Sequence, residues 1–269
     1  RSAPTPEMTV TTHIESARSR VRAEREAVEG KREAVETFAE RVADLSTDPT
    51  PSAAAGVTAT AGPRRHGESG AADRCRTVRT AFAETIRPHS LDDTDDSEPL
   101  LSTIRAELTD GIAVALAPTT DVSFSAELKE AIIAETHARR VEAETLVTAL
   151  DRERSALDDA ASTVEAVTGW LADADETPLT DLGFDALRTR HETLATHRDR
   201  CQDLADRRQA FLDESTASNS RAGISHRTLV PYLYEDFPVD HPVLSTVARL
   251  DAVCRTCQRA VRDHLVRRA

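Results

Sequence analysis

The sequence predicts an all-α protein, an elongated antiparallel helical bundle with an N-terminal coiled-coil helix. Three observations carry this. A seam of apolar residues spaced three and four apart persists through five heptads near the N-terminus. A later stretch, Ser125 to Ala174, has no proline and one glycine, Gly169; as a continuous helix rising 1.5 Å per residue it would be about 75 Å long. Aromatic residues make up only 3% of the chain against 30% charged, a balance that suits narrow helical seams better than one thick core.

The pattern divides the chain into an N-terminal coiled-coil helix over 8–45, a flexible linker over 46–73, a short helical pair over 74–118, and a long hairpin plus C-terminal helix over 121–269. In the first segment Val10, Ala17, Phe38 and Leu45 share one heptad position, and Ile14, Val21, Val28, Val35 and Val42 the other. Glu24 and Lys31 interrupt the first set, as polar seam residues that cost stability but fix register. Such a seam serves either a second chain or a neighbouring helix of its own chain. Met8 reads as a natural start, just before the pattern begins. Residues 46–73 are rich in Pro, Gly, Ser, Ala and Thr without periodicity, the composition of a linker.

Next, Cys75, Val78, Phe82 and Ile86 form one stripe, and Pro88 ends that helix. The acidic loop from Asp92 to Glu98 lacks the glycine and twelfth-position glutamate of a calcium loop. Ser97 and Pro99 fit a helix start, and Leu101, Ile104, Leu108, Ile112 and Leu116 then read as a single helix stopped by Pro118.

Along the long helix the seam runs Ile133, Ala143, Val147, Leu150, Leu157, Ala161, Val164 and Leu171, interrupted by Thr136, Arg140 and Arg154. Thr177 and Pro178 offer a cap and first turn for the next helix, which reaches about Glu214 with Phe184, Leu187, Leu194, Cys201, Ala205 and Leu212 inward. The short connection makes the two an antiparallel hairpin. A polar stretch, 215–223, leads to "PYLYEDFPVDHP" at 231–242, which holds both tyrosines of the chain. Tyr232, Tyr234 and Phe237 form either a packing lock that seats the last helix or a patch that faces a partner. Asp240 is expected to cap the last helix, with Pro242 in its first turn and Val243, Val247, Leu250, Cys254, Cys257, Val261 and Leu265 inward.

Charge and composition exclude several classes. The net charge is -13, and Lys31 and Lys129 are the only lysines among 34 basic residues. Arg255, Arg259 and Arg262 form a stripe on the last helix, but phosphate binding weakens with salt and the acidic whole opposes it, so a nucleic-acid partner is disfavoured. The apolar run "GIAVALAP" at 111–118 is far short of the roughly 20 residues of a membrane span. Four cysteines do not make a dense disulfide framework, and the expected location is the cytoplasm.

Cys254 and Cys257 make a CxxC, yet both fall mid-helix on the apolar seam, where they read as small buried hydrophobes rather than a redox pair. His197 and Cys201 share a helix face. If their helix lay beside the last one, His197, Cys201, Cys254 and Cys257 could surround a zinc ion; this is a weak reading. "RHETLATH" places its second histidine six residues after the first, so HExxH is absent. Phosphate-cradling glycine loops and GxSxG are absent too. No catalytic residue and no cofactor is expected.

The segments "RCRTVRTAFAETI", "PHSL", "LKEAIIAET", "ALDRERSALDDA", "RCQDLADRRQAFL" and "YLYEDFPVDHPVL", with the arginine-rich end, resemble an uncharacterised family of haloarchaeal all-helical, coiled-coil-containing proteins. The resemblance implies a helical fold and a haloarchaeal source, and it brings no activity, cofactor or site residue. The expected role is a non-enzymatic cytoplasmic interaction or scaffold protein, acting through amphipathic helix seams by self-association or on a protein partner. The alternatives are a transcription-associated regulator using the Arg-rich last helix, and, behind it, a zinc-binding or redox protein.

Overall fold

A computed structural model describes residues 13–48, 68–90, 99–120, 122–218 and 226–268. Among them the elements are all helical: α1 (Ile14–Ala43), α2 (Glu68–Glu84), α3 (Leu100–Glu107), α4 (Asp110–Ala115), α5 (Ala126–Asp175), α6 (Phe184–Ser218), α7 (His226–Leu233) and α8 (Pro242–Arg268), with short 3-10 turns at Arg87–His89 and Leu179–Asp181. The expected all-α bundle is what forms. The chain divides into two compact units, residues 1–25 with 148–269 and residues 26–147. Helices α1 and α5 contribute to both.

The heptad seam of α1 is buried inside its own chain. Ala17, Val21, Phe38 and Val42 are fully enclosed, and Ile14 and Val35 nearly so. In the 26–147 unit, Phe38 meets Phe82 of α2 edge-on with ring centres 5.6 Å apart. Around them pack Val78, Ile86, Ile104, Ile112, Leu116, Phe124 and Ile132. Burial of one such side chain contributes about 1.5–3 kcal/mol, so this cluster holds α1 to its neighbours. The two polar seam residues are satisfied within the chain: Lys31 pairs with Glu107 at 2.7 Å, and Glu24 accepts the Tyr232 hydroxyl at 3.1 Å. Both contacts lie within one chain. Gly30 matters locally, because a Cβ there would lie 3.1 Å from the His89 ring.

Several expected boundaries move. Helix α2 begins at Glu68, so the last residues of the expected linker are helical, and residues 49–67 lie outside the described residues, as do Val10, Ser97 and the acidic loop 92–98. The predicted single helix over Leu101 to Leu116 is two. Leu108 leaves the helical region at φ -113°, ψ -102°, and Thr109 restarts the chain by accepting the Ile112 amide at 3.2 Å. The predicted apolar stripe survives, since Ile104, Leu108, Ile112 and Leu116 are all buried. Thr177 and Pro178 lead into the Leu179–Asp181 turn, and α6 starts later, at Phe184. Helix α8 starts at Pro242, with its first bond from Ser245 to the His241 carbonyl, which makes His241 the cap position and leaves Asp240 one residue short of it. Of the polar stretch, 215–218 extends α6 and 219–223 lie outside the described residues.

In the other unit α5 and α6 run antiparallel, because Glu153 meets Arg208 while Trp170 meets His197. Helix α8 runs antiparallel to α6: Arg198 bonds Asp251 at 2.8 Å, while the earlier His191 carbonyl accepts from the later Gln258 at 3.4 Å. The α5 seam holds Leu150, Leu157, Ala160, Val164, Val167 and Leu171. Ala160 and Ile132 are fully buried where Ala161 and Ile133 were expected, a one-residue offset of the kind a 3.6-residue period produces along a helix this long.

Candidate functional site

The most distinctive arrangement lies where α5, α6 and α7 meet. On α5 the buried positions Leu150, Glu153, Leu157, Ala160 and Val164 alternate by three and four, so Glu153 occupies the seam itself. The neighbouring Arg154, expected in the seam, faces out. On α6 Cys201, Leu204 and Arg208 follow the same rule. Arg208 therefore meets Glu153 head-on as a two-pronged ion pair, Nη1 to Oε2 and Nη2 to Oε1, both 2.8 Å. Tyr234, at the end of α7, donates its hydroxyl to Glu153 Oε1 at 2.6 Å. All three side chains are sealed, at 0%, 4% and 1% exposure for Glu153, Arg208 and Tyr234.

Burial governs the chemistry here. A buried charge is tolerated when it is paired and its hydrogen-bonding capacity is filled. The Glu153 carboxylate accepts three charge-assisted bonds from two other helices. Arg208 also lies over the Phe211 ring, 5.2 Å from its centre. The Tyr234 hydroxyl is pushed well above its usual range, first by burial and then by the Glu153 charge, so it remains a donor. This enclosed cluster ties α5 to α6 and to the end of α7 through three hydrogen bonds.

The aromatic knot thus divides. Tyr234 is interior, and the half-buried Phe237 meets it edge-on at 5.2 Å. Tyr232 is 47% exposed. Its hydroxyl bonds Glu24 and its ring carries the Arg20 guanidinium at 5.7 Å.

Of the four residues read as a weak zinc set, Cys201, Cys254 and His197 are buried and Cys257 is half-buried. Among the described residues no three His, Cys, Asp or Glu side chains converge as metal ligands. Helix α6 does lie beside α8, as the zinc geometry required, but the His197 ring meets Trp170 of α5, with ring centres 4.9 Å apart and planes tilted by 52°. Both its ring nitrogens are buried without a partner. Burial raises the thiols of Cys201 to about 11 and Cys254 to about 12, so neither is a thiolate near neutral pH. Arg255, first in the α8 stripe, pairs with Asp251 on its own helix, while Arg259 and Arg262 are exposed.

Sequence reasoning missed Glu153 and Arg208, although the signal was present. An acid lay three residues after Leu150 and four before Leu157, and a base fell midway between Leu204 and Leu212. Opposite charges on the seams of two antiparallel neighbours mark an interior pair.

The fold and this cluster define a class: an all-helical protein whose helices are pinned by a buried Glu–Arg–Tyr network. A domain of unknown function, DUF7260, matches residues 12–258, and the chain belongs to that family. Comparison with curated proteins and with solved structures finds no match. Among the described residues no helix is long and apolar enough to cross a membrane.

Proposed function

We propose that the protein is a non-enzymatic cytoplasmic interaction protein that works by self-association or by binding a protein partner, using exposed side chains on a rigid helical framework. The observation that carries this is the division of the aromatic knot. Tyr234 is spent on the interior, and two residues away Tyr232 keeps 47% of its surface open beside a guanidinium. A half-exposed tyrosine anchored by its hydroxyl loses little entropy on docking and offers a large amphipathic contact. The α1 seam residues Ala17, Val21, Val35, Phe38 and Val42 are buried within the chain, so this reading places the contact on exposed side chains rather than on that seam.

Self-association is the form tested first. Light scattering with size-exclusion chromatography in concentrated salt, where an acidic chain is well screened, should give a molar mass above the 29.3 kDa chain. Tyr232→Ala should return it to one chain with unfolding temperature unchanged. A wild type that stays at one chain mass across the accessible concentrations, with no defined partner lost on Tyr232→Ala, would overturn the reading.

A further inference from the structure

At the end of the α5–α6 hairpin lies a cavity of about 260 Å³. Its walls come from the last turns of α5, the connection to α6, the first turns of α6 and the C-terminal half of α8. The interior is apolar: Trp170, Leu171, Leu194 and Val261 face it. Its size is below that of drug-sized sites and suits a molecule of about a dozen heavy atoms.

Two opposite charges border this apolar space, Asp175 and Arg190. Asp175 is exposed at the C-terminal end of α5, where the helix carbonyls favour a cation. Arg190 donates Nη1 to the Thr177 carbonyl at 3.1 Å, a bond that holds the guanidinium at the cavity while its other donors stay available for a carboxylate. Among the described residues neither charge takes part in an ion pair. Cys257 lines the same cavity; its thiol is raised first by burial and then by Asp175, with Arg190 opposing. An anion alone would face Asp175, and a cation alone would face Arg190. A zwitterion satisfies both.

We infer that this cavity is a binding site for a free α-amino acid with a large apolar side chain. The side chain fills the space against Trp170, Leu194 and Val261, the carboxylate meets Arg190, and the ammonium lies toward Asp175 and the end of α5. Arg268 secures the loop that forms one wall by donating to the carbonyls of Thr180 and Leu182.

Trp170 is the only tryptophan of the chain, so its emission reports occupancy directly. L-phenylalanine is the probe, compared with 3-phenylpropanoate, which lacks the ammonium, and phenethylamine, which lacks the carboxylate. The expected result is a saturable change with L-phenylalanine, and at least about tenfold weaker binding for each analogue, as loss of one charge-assisted contact implies. Arg190→Gln and Asp175→Asn should each weaken L-phenylalanine by about tenfold, each measured against its own ligand-free emission, while helical circular dichroism stays unchanged. L-phenylalanine should also slow maleimide labelling of Cys257. Absence of a saturable response to L-phenylalanine overturns the inference. So does binding of the three probes within about threefold of one another, or binding that keeps its strength in both variants.

Discussion

Replacing Arg208 by methionine removes the counter-charge that, among the described residues, is bonded to a carboxylate 0% exposed, along with two bonds of 2.8 Å. The carboxylate then keeps only the Tyr234 hydroxyl. Breaking a buried pair from one side costs about 3–5 kcal/mol, because an uncompensated charge remains inside. With about 2 °C per kcal/mol for a domain of this size, the unfolding temperature should fall by about 6–10 °C. The triple variant Glu153→Leu, Arg208→Met, Tyr234→Phe removes every polar member together and fills similar volume. It should recover most of that loss or exceed the wild type by about 1–4 kcal/mol, since paired buried charges add little over apolar packing. Thermal and urea unfolding followed by Trp170 emission reads both, because Trp170 lies in the same unit. A cost below about 1 kcal/mol for Arg208→Met, or a triple variant no more stable than the single one, would show that the pair does not hold a buried charge.

Further outcomes follow from the same geometry. The pKa of His197 is lowered from 6.5, by burial first and then by Arg200, so below pH 6.5 the unfolded chain takes up a proton that the folded one resists. Stability should fall as pH drops through that point, and His197→Leu should show a shallower acid-side loss in unfolding midpoints at pH 5 and 7. Native protein should label with maleimide at Cys257 before Cys75, Cys201 and Cys254, because those three are buried; equal rates on peptide mapping would contradict the packing of α6 against α8. Phe82→Ala should cost about 3–5 kcal/mol, through loss of the edge contact with Phe38, measured by circular dichroism melting.

The helices were legible because burial in this chain follows local spacing. Ile14, Val21, Val35 and Val42 were marked by period alone, and so were Leu150, Leu157, Val164 and Leu171, all of which are buried. What covers a seam is not local. The α1 pattern suits a second chain as well as its own neighbours, and only the meeting of Phe38 with Phe82 decides it. The break at Leu108 was hidden because the apolar stripe continues in step across it, even though Thr109 is a good cap. Phe184, read as inward, is 48% exposed, at the residue where α6 begins. The Glu153–Arg208 pair was hidden for a different reason: apolar periodicity treats a charge as an interruption, and only a partner on the facing helix turns it into a core residue.

The two tyrosines of one short segment sit in opposite surroundings, Tyr234 in the interior and Tyr232 facing outward. The most direct test is thermal unfolding of Tyr234→Phe and Tyr232→Phe side by side, each losing a single hydroxyl. Loss of the 2.6 Å bond to the buried Glu153 should cost about 1.5–3 kcal/mol, while loss of the 3.1 Å bond to Glu24 at the surface should change stability by less than about 0.5 kcal/mol. Equal losses, or a larger loss for Tyr232→Phe, would contradict the account.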